Sequence, residues 1–309
     1  MVIVASPRQE HPISLGQNMR TPSPPRFRPD FRRRQRFYRD DRAVDRVIAH
    51  FVLERELSDR LRCAPPAARS PVYRDVYRQL FAALPDHPQH RSHTDAAMRA
   101  SSQLQWIEDE LRPDCIFLEI GCGDAASGFA VADRVRTAYG LDVTDALIDF
   151  AKAPANFKFL PTAGVDISLP TNQIDIAYSN QLMEHLHPDD AVDQLMEIYR
   201  VLKPGGRYFC ITPSRVTGPH DVSGYFGYDA TGLHLKEYDY GAMREMFRRV
   251  GFRNFSCAAL LRGRRIMLPY PLIRVAECSL LSLPARLRAG LTSSAPARAV
   301  LGLTVIAAK

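Results

Sequence analysis

Glu119, Gly121, Gly123 and Asp142 have types and spacing that suit a nucleotide-like ligand. The apolar run Cys115–Ile120 reads as a strand that passes straight into Gly121-Cys122-Gly123-Asp124-Ala125 and then into a helical pattern. Two glycines allow a tight turn and let a ligand approach the backbone without a Cβ in the way. A ligand held there sits at the carboxyl end of a strand and beside a helix N-terminus, the usual crevice of an open α/β sheet. Asp142 ends the next predicted strand, where a carboxylate can accept both hydroxyls of a ribose. These residues alone do not fix the ligand. Gly121-x-Gly123-x-x-Ala126 with Asp142 also satisfies the relaxed fingerprint of a nicotinamide dinucleotide site.

Three further features narrow the choice. Glu119 lies two residues before the first glycine, where the cationic amino group of a methionyl ligand needs an anion. Asn180-x-x-x-Glu184-His185 follows the fourth predicted strand, and Leu202-Lys203-Pro204-Gly205-Gly206 precedes the fifth. In this order and spacing, residues 114–261 and 301–308 resemble a class I, S-adenosylmethionine-dependent methyltransferase domain of the kind that methylates small molecules. The match is to Glu119-x-Gly121-x-Gly123, with Ala125 in place of the frequent third glycine, and to Glu184-His185-Leu186 after strand four.

The resemblance implies an α/β, Rossmann-like, seven-stranded sheet of order 3-2-1-4-5-7-6 with strand 7 antiparallel, and S-adenosyl-L-methionine as cofactor. It implies cofactor-binding roles for Glu119, Gly121, Gly123, Asp142 and Asn180, and for Asp166, which falls one place later than the acid that usually meets the adenine amino group. The chemistry implied is an in-line displacement at a sulfonium methyl group, for which the protein supplies alignment and in some members a base. His185, and His220 in the loop after strand five, are the candidate catalytic residues. Some relatives of this fold bind a divalent ion through Glu-x-x-Glu-His and a later His. Here the run is Gln181-x-x-Glu184-His185 with His234, and Gln181 removes a charge that a hard cation favours, so no metal is expected.

The elements that must position these residues follow from periodicity. Apolar spacing predicts helices over Asp41–Leu61, about Val72–Leu84 and Thr94–Leu111, which form a helical N-terminal cap over residues 39–112. His87, His90 and His93 have ligand-like spacing but no acidic or cysteine partner in sequence, and are read as a turn. From residue 113 to 309, short apolar strands alternate with helices at Ser127–Arg136, Thr144–Lys152, Asp189–Leu202 and Tyr240–Val250, the rhythm of a parallel doubly wound sheet. Residues 1–38, rich in Pro, Arg and Ser, are expected to be a disordered basic leader, dispensable for folding.

The segment Pro213–Asp221 with Tyr225, Phe226 and Tyr228 suits a lid over a small polar acceptor. Arg262–Val300, between the last two strands of the resembled fold, mixes leucines and arginines with one acid, Glu277. It reads either as a basic amphipathic segment for an anionic membrane or as a helix packed on the sheet.

Composition bounds the rest. The net charge of +7 is mostly arginine, and six cysteines occur with no Cys-x-x-Cys pair, which favours free thiols in a reducing compartment. With no long apolar run and no secretory pattern, a cytoplasmic protein is expected, with the membrane contact through 262–300 as the open option. The expected partner is a small-molecule acceptor, such as a lipid or sugar of the cell envelope. RNA is the alternative suggested by the arginine-rich leader, and a cofactor-binding protein without catalysis is another. Nucleic acid is disfavoured, since no Asn/Asp-Pro-Pro-aromatic run is present.

Overall fold

The computed structural model describes residues 25–87 and 96–309. Eight strands form one sheet of order β3-β2-β1-β4-β5-β8-β6-β7. They are β1 Ile116–Ile120, β2 Thr137–Asp142, β3 Phe157–Pro161, β4 Ile174–Asn180, β5 Leu202–Thr212, β6 Arg253–Leu261, β7 Arg264–Leu268 and β8 Leu303–Ala308. Strands β3, β2, β1, β4 and β5 pair in parallel, and β8 runs antiparallel between β5 and β6. This is the expected order with one addition. The insert opens with β7, a hairpin partner of β6 that extends the sheet edge, so β8 is not the only strand running against the parallel set.

Helices cover both faces. In chain order they are α1 Phe31–Phe37, α2 Val44–Cys63, α3 Pro66–Ala83, α4 Ala96–Leu104, α5 Ala126–Val131, α6 Pro188–Val201, α7 Tyr240–Val250, α8 Tyr270–Leu281, α9 Ala285–Leu291 and α10 Ala295–Leu301. Leu118, Ala177, Tyr208 and Val305 from the sheet pack with Leu195 and Ile198 of α6, Phe247 of α7 and Leu80 of α3 in one core. Burying such side chains is worth about 1.5–3 kcal/mol each against leaving them exposed.

Buried polar ties fix the cap over this core. The Arg69 guanidinium of α3 meets Asp190 of α6 at 2.7 Å, and Tyr73 donates to the same carboxylate at 2.9 Å. Of the first helices of the cap, α2 begins at Val44 and not at Asp41, and α3 begins earlier than expected, at Pro66, because proline is tolerated in a first helical turn. Thr94 and the start of the third predicted helix lie outside the described residues; α4 ends at Leu104, and a short 3₁₀ turn follows at Glu108–Glu110.

Three expectations are corrected. Residues 25–38 are not a disordered leader, although residues 1–24 lie outside the described part. Phe27 stacks on Phe226 at 4.6 Å, and the ring of Phe31 meets Tyr225 edge-on at 5.4 Å. Arg28 pairs with Asp30 and covers the ring of Tyr228, while its backbone N–H donates to the Tyr225 carbonyl. Phe27 and Phe31 are anchors, and they form a satellite core with Val47 and Phe51 of α2. Phe31→Ala is therefore expected to cost about 3 kcal/mol, read as a lower urea midpoint, where a solvated leader predicts no change.

The predicted helix Thr144–Lys152 forms only a 3₁₀ turn at Phe150–Lys152. Local side chains capture its backbone donors: Asp142 accepts from Thr144 N–H, Thr144 from Ala146 N–H, and Asp149 from Ala151 N–H. Such bonds offer the chain an alternative to the helix. Lys203-Pro204-Gly205-Gly206, expected to precede the fifth strand, lies within β5 beside an irregularity in the β4–β5 register, with Gly205 at φ +79°.

Candidate active site

The carboxyl ends of β1, β2 and β4 open onto a cavity of about 370 Å³. Its floor is the predicted loop, Glu119 through Asp124, with Leu141–Thr144 on one side and Asn180–Leu182 on the other. Gly121 (φ +71°) donates its N–H to the Leu141 carbonyl at 2.8 Å, which turns the chain sharply off β1. Asp142 locks this loop from the neighbouring strand. Its carboxylate accepts from Gly123 N–H at 2.9 Å and from Thr144 N–H at 3.3 Å, while burial pushes its pKa upward.

Glu119, at the end of β1, is buried and accepts only one backbone hydrogen bond among those resolved, from Gly128 N–H at 2.9 Å. Burial, with the carboxylates of Asp124 and Asp142 nearby, pushes it up to about 8. Burial thus favours the protonated acid near neutrality, and a cation beside it would ionise it.

The roof of the cavity was not anticipated. Tyr73, Tyr77 and Phe81 line it from α3 at helical spacing, with Gln103 from α4. The sequence stripe Val72, Val76, Leu80 and Leu84 points the way to α3, but the aromatic row beside it carries no motif of its own. Asp166 is not part of the wall. Its residue is exposed and its carbonyl accepts from the Thr162 hydroxyl, so Thr162 and Gly164 occupy the side expected of it. The Asp166 assignment to the cofactor site is therefore corrected.

Gln181 and His185 line this cavity and also a second one of about 470 Å³. The second is walled by α2 and the 38–42 turn on one side, and by His220–Tyr225, Leu233 and His234 on the other. The loop after β5, expected to be a lid, is largely buried and pinned to the cap: Leu233 N–H donates to Glu54 at 3.2 Å, and Arg62 donates to the Leu235 carbonyl at 2.8 Å. His185, in the short turn Met183–His185, places Nδ1 3.0 Å from the Leu233 carbonyl. A carbonyl only accepts, so Nδ1 carries the proton and the lone pair of the neutral ring is on Nε2. Burial and the charge of His234 hold His185 neutral, down to about 3.

His220 lines only the second cavity. Burial lowers it to about 4, and its Nε2 lies 2.8 Å from the Thr217 hydroxyl. His234 is the opposite case: burial disfavours its charge, but Glu237 at 2.8 Å, with Asp221 and Glu184 nearby, raises it to about 9.

Glu184, His185 and His234 bring one ligand atom each within 4.8 Å of one another, and could hold a divalent ion only if His234 gave up its proton. Gln181 offers an amide, not a further carboxylate, on the shared wall. His50, Glu54 and His87 form a second such trio, but Arg42 donates to His50 Nδ1 at 2.7 Å, leaving Nε2–H to donate to Glu54 at 2.7 Å. That trio is a hydrogen-bonded brace. His87, expected in a simple turn, belongs to it; His90 and His93 lie outside the described residues.

A parallel sheet with a glycine loop after β1 and an acid after β2 defines a Rossmann-like, nucleotide-binding class of domain. Residues 118–210 match the family described as methyltransferase domain. The chain is 28% identical over 136 residues to a Mycolicibacterium smegmatis protein named "Probable S-adenosylmethionine-dependent methyltransferase", covering 44% of this chain and 51% of that one. It is 26% identical over 190 residues to a demethylmenaquinone methyltransferase of Symbiobacterium thermophilum, covering 55% of this chain and 72% of the relative. The match thus spans about half the length of the first relative. A chain from the complex of the Haloferax volcanii Trm112 methyltransferase activator with a methyltransferase shares the fold, with a TM-score of 0.51 at 17% identity, over 74% of this chain and 96% of that one. Residues 118–210 thus carry a methyltransferase domain, and the likeness to S-adenosylmethionine-dependent methyltransferases extends over about half of the chain.

Proposed function

We propose that the protein transfers the methyl group of S-adenosylmethionine to a small-molecule acceptor, such as a lipid or sugar of the cell envelope. The observation that carries this reading is the pair of cavities sharing Gln181 and His185, one for the cofactor and one for the acceptor. When bound, the cofactor supplies an activated methyl group on a sulfonium. Glu119 receives the ligand's amino group, Asp142 the ribose hydroxyls, Gly121 and Gly123 let it approach the backbone, and Asn180 contributes from the end of β4. His185 lines both cavities and, held neutral with its lone pair on Nε2, is the candidate to orient the acceptor by accepting a hydrogen bond from it. His220, in the acceptor cavity, is the second candidate, and burial makes both weak bases. Relatives named for menaquinone methylation favour a small acceptor over RNA. Incubation of the protein with labelled S-adenosylmethionine and fractionated extract should label a small organic molecule; label confined to RNA would support the alternative.

The insert 262–300 adds a proposed surface for anionic lipid. On α8, Ile273 and Glu277 face inward, and Glu277 is used up by Arg274 at 2.7 Å and the Tyr240 N–H at 3.0 Å. Leu272 (68% exposed) and Val275 (66%) on α8, and Leu287 (60%) and Leu291 (62%) on α9, face out. Arg262, Arg264, Arg286 and Arg288 make no ion pair among the described residues, whereas Arg265 is taken by Glu110. No helix among the described residues is long and apolar enough to cross a membrane, so contact would be peripheral. Each arginine near an anionic surface is worth about 1 kcal/mol. Flotation with phosphatidylglycerol vesicles should capture the protein at low salt, and replacing those four arginines with Gln should release it; capture unaffected by the substitutions would sink this surface.

A further inference from the structure

The second cavity holds more cation than its own carboxylates use. Each acid in its wall has a partner. Asp40 pairs with Arg42 at 2.7 Å and Asp86 with Arg46, Glu54 is held by His50 at 2.7 Å, and Asp221 accepts from Ser223 N–H at 3.1 Å and Gly232 N–H at 2.9 Å. Two guanidiniums of the same wall, Arg34 and Arg39, form no ion pair among the described residues.

Arg34 is the telling one. Its residue is only 8% exposed, its Nη2 donates to the Pro219 carbonyl at 3.0 Å, and its Nε is buried without an acceptor. Asp30, on the preceding turn, is already engaged by Arg28 at 2.9 Å. The fold makes room for the Arg34 side chain, since a Cβ at Gly224 would stand 2.6 Å from Nη2. A guanidinium stays protonated at any ordinary pH, and burying one without a counter-ion is costly unless a ligand supplies the anion. Arg39, exposed and at φ +52°, adds a second fork to the same wall.

We infer that the second cavity binds an oxyanion of the acceptor, phosphate or carboxylate, through Arg34 and Arg39, while the atom to be methylated lies at the Gln181–His185 wall. The inference rests on the methyltransferase reading, because it needs the methyl group delivered through that shared wall. It narrows the acceptor to an anionic small molecule whose charged group is remote from its nucleophile, and it gives the docked segment 25–38 a task in substrate choice.

The test uses the full chain saturated with S-adenosylhomocysteine, titrated in separate arms with inorganic phosphate and with acetate. At least one anion is expected to bind saturably. Arg34→Gln should weaken it at least about tenfold, as for a charge-assisted hydrogen bond, and Arg39→Gln by less. Affinity for S-adenosylhomocysteine should be unchanged in both variants. The arm that binds identifies the acceptor's charge as a phosphate or a carboxylate. Saturation by neither anion overturns the inference, as does anion binding that neither substitution alters. If Arg34→Gln does not fold, Arg39→Gln decides by the same criterion. Failure of S-adenosylhomocysteine to bind the unaltered protein would bring down the methyltransferase reading and this inference together; cofactor binding without anion binding removes the inference alone.

Discussion

Gly121→Val should abolish measurable binding of S-adenosylhomocysteine. Residue 121 sits at φ +71°, where a β-branched side chain is strained, at a cost of about 1–3 kcal/mol. Its Cβ would also stand 3.0 Å from Leu182 Cδ1, and Leu182 is part of the cavity wall. The substitution therefore acts twice, straining the turn that follows β1 and pushing a wall residue, and the two costs fall on the loop that has to meet the ligand. Equilibrium dialysis on protein that still melts cooperatively checks this. Affinity within threefold of the unaltered protein would mean that the loop does not touch the ligand.

Asp142→Ala is expected to weaken the same ligand by about 1–3 kcal/mol, through the loss of charge-assisted hydrogen bonds to the ribose. The structure adds a second route to that loss, since Asp142 also ties down Gly123 and Thr144. Asp142→Asn separates the two contributions. An amide oxygen can still accept one loop hydrogen bond, so a loss in Asn close to that in Ala points to the carboxylate's contact with ligand. Recovery in Asn points to loop order.

The parts of this site that could be read from sequence are those made within a few residues. The β1 strand, its glycine turn and the acid closing β2 each depend on local periodicity and on backbone freedom at a fixed place. Helix α7 could be placed to the residue, Tyr240–Val250, because Asp239 caps it by accepting from Ala242 N–H and Gly251 ends it at φ +114°. What escaped depends on distant partners. Phe27 and Phe31 look like members of a charged leader until Phe226 and Tyr225, far along the chain, are brought against them.

The 144–152 stretch misled for the opposite reason. Its apolar spacing suits a helix, but the carboxylates and hydroxyl that begin it bond locally instead. Asp166 came from the resemblance alone, and the segment turns so that Thr162 and Gly164 line the cavity while Asp166 faces solvent. The roles of Gln181 and His185 as a wall common to two cavities had no sequence signature, because the second cavity is built largely from residues before 90 and after 219.

The central claim is that the cavity around Glu119 and Asp142 holds S-adenosylmethionine, with Glu119 facing its amino group. Titration calorimetry in two buffers of different ionisation enthalpy tests both parts at once. With burial raising its pKa to about 8, against 4.5 ordinarily, Glu119 is protonated at pH 6.5. An ammonium group entering beside it lowers that value, so binding at pH 6.5 should release up to one proton. At pH 9 the carboxylate is already ionised, and the release should vanish or turn to uptake as the ligand's own amine is reprotonated. Glu119→Gln should weaken binding and remove the release at pH 6.5. Saturable binding of S-adenosylmethionine and S-adenosylhomocysteine with that proton signature, and none of NAD or NADP, is the predicted result. Nicotinamide nucleotide binding without either sulfur ligand, or a proton release that survives in Glu119→Gln, would contradict the account.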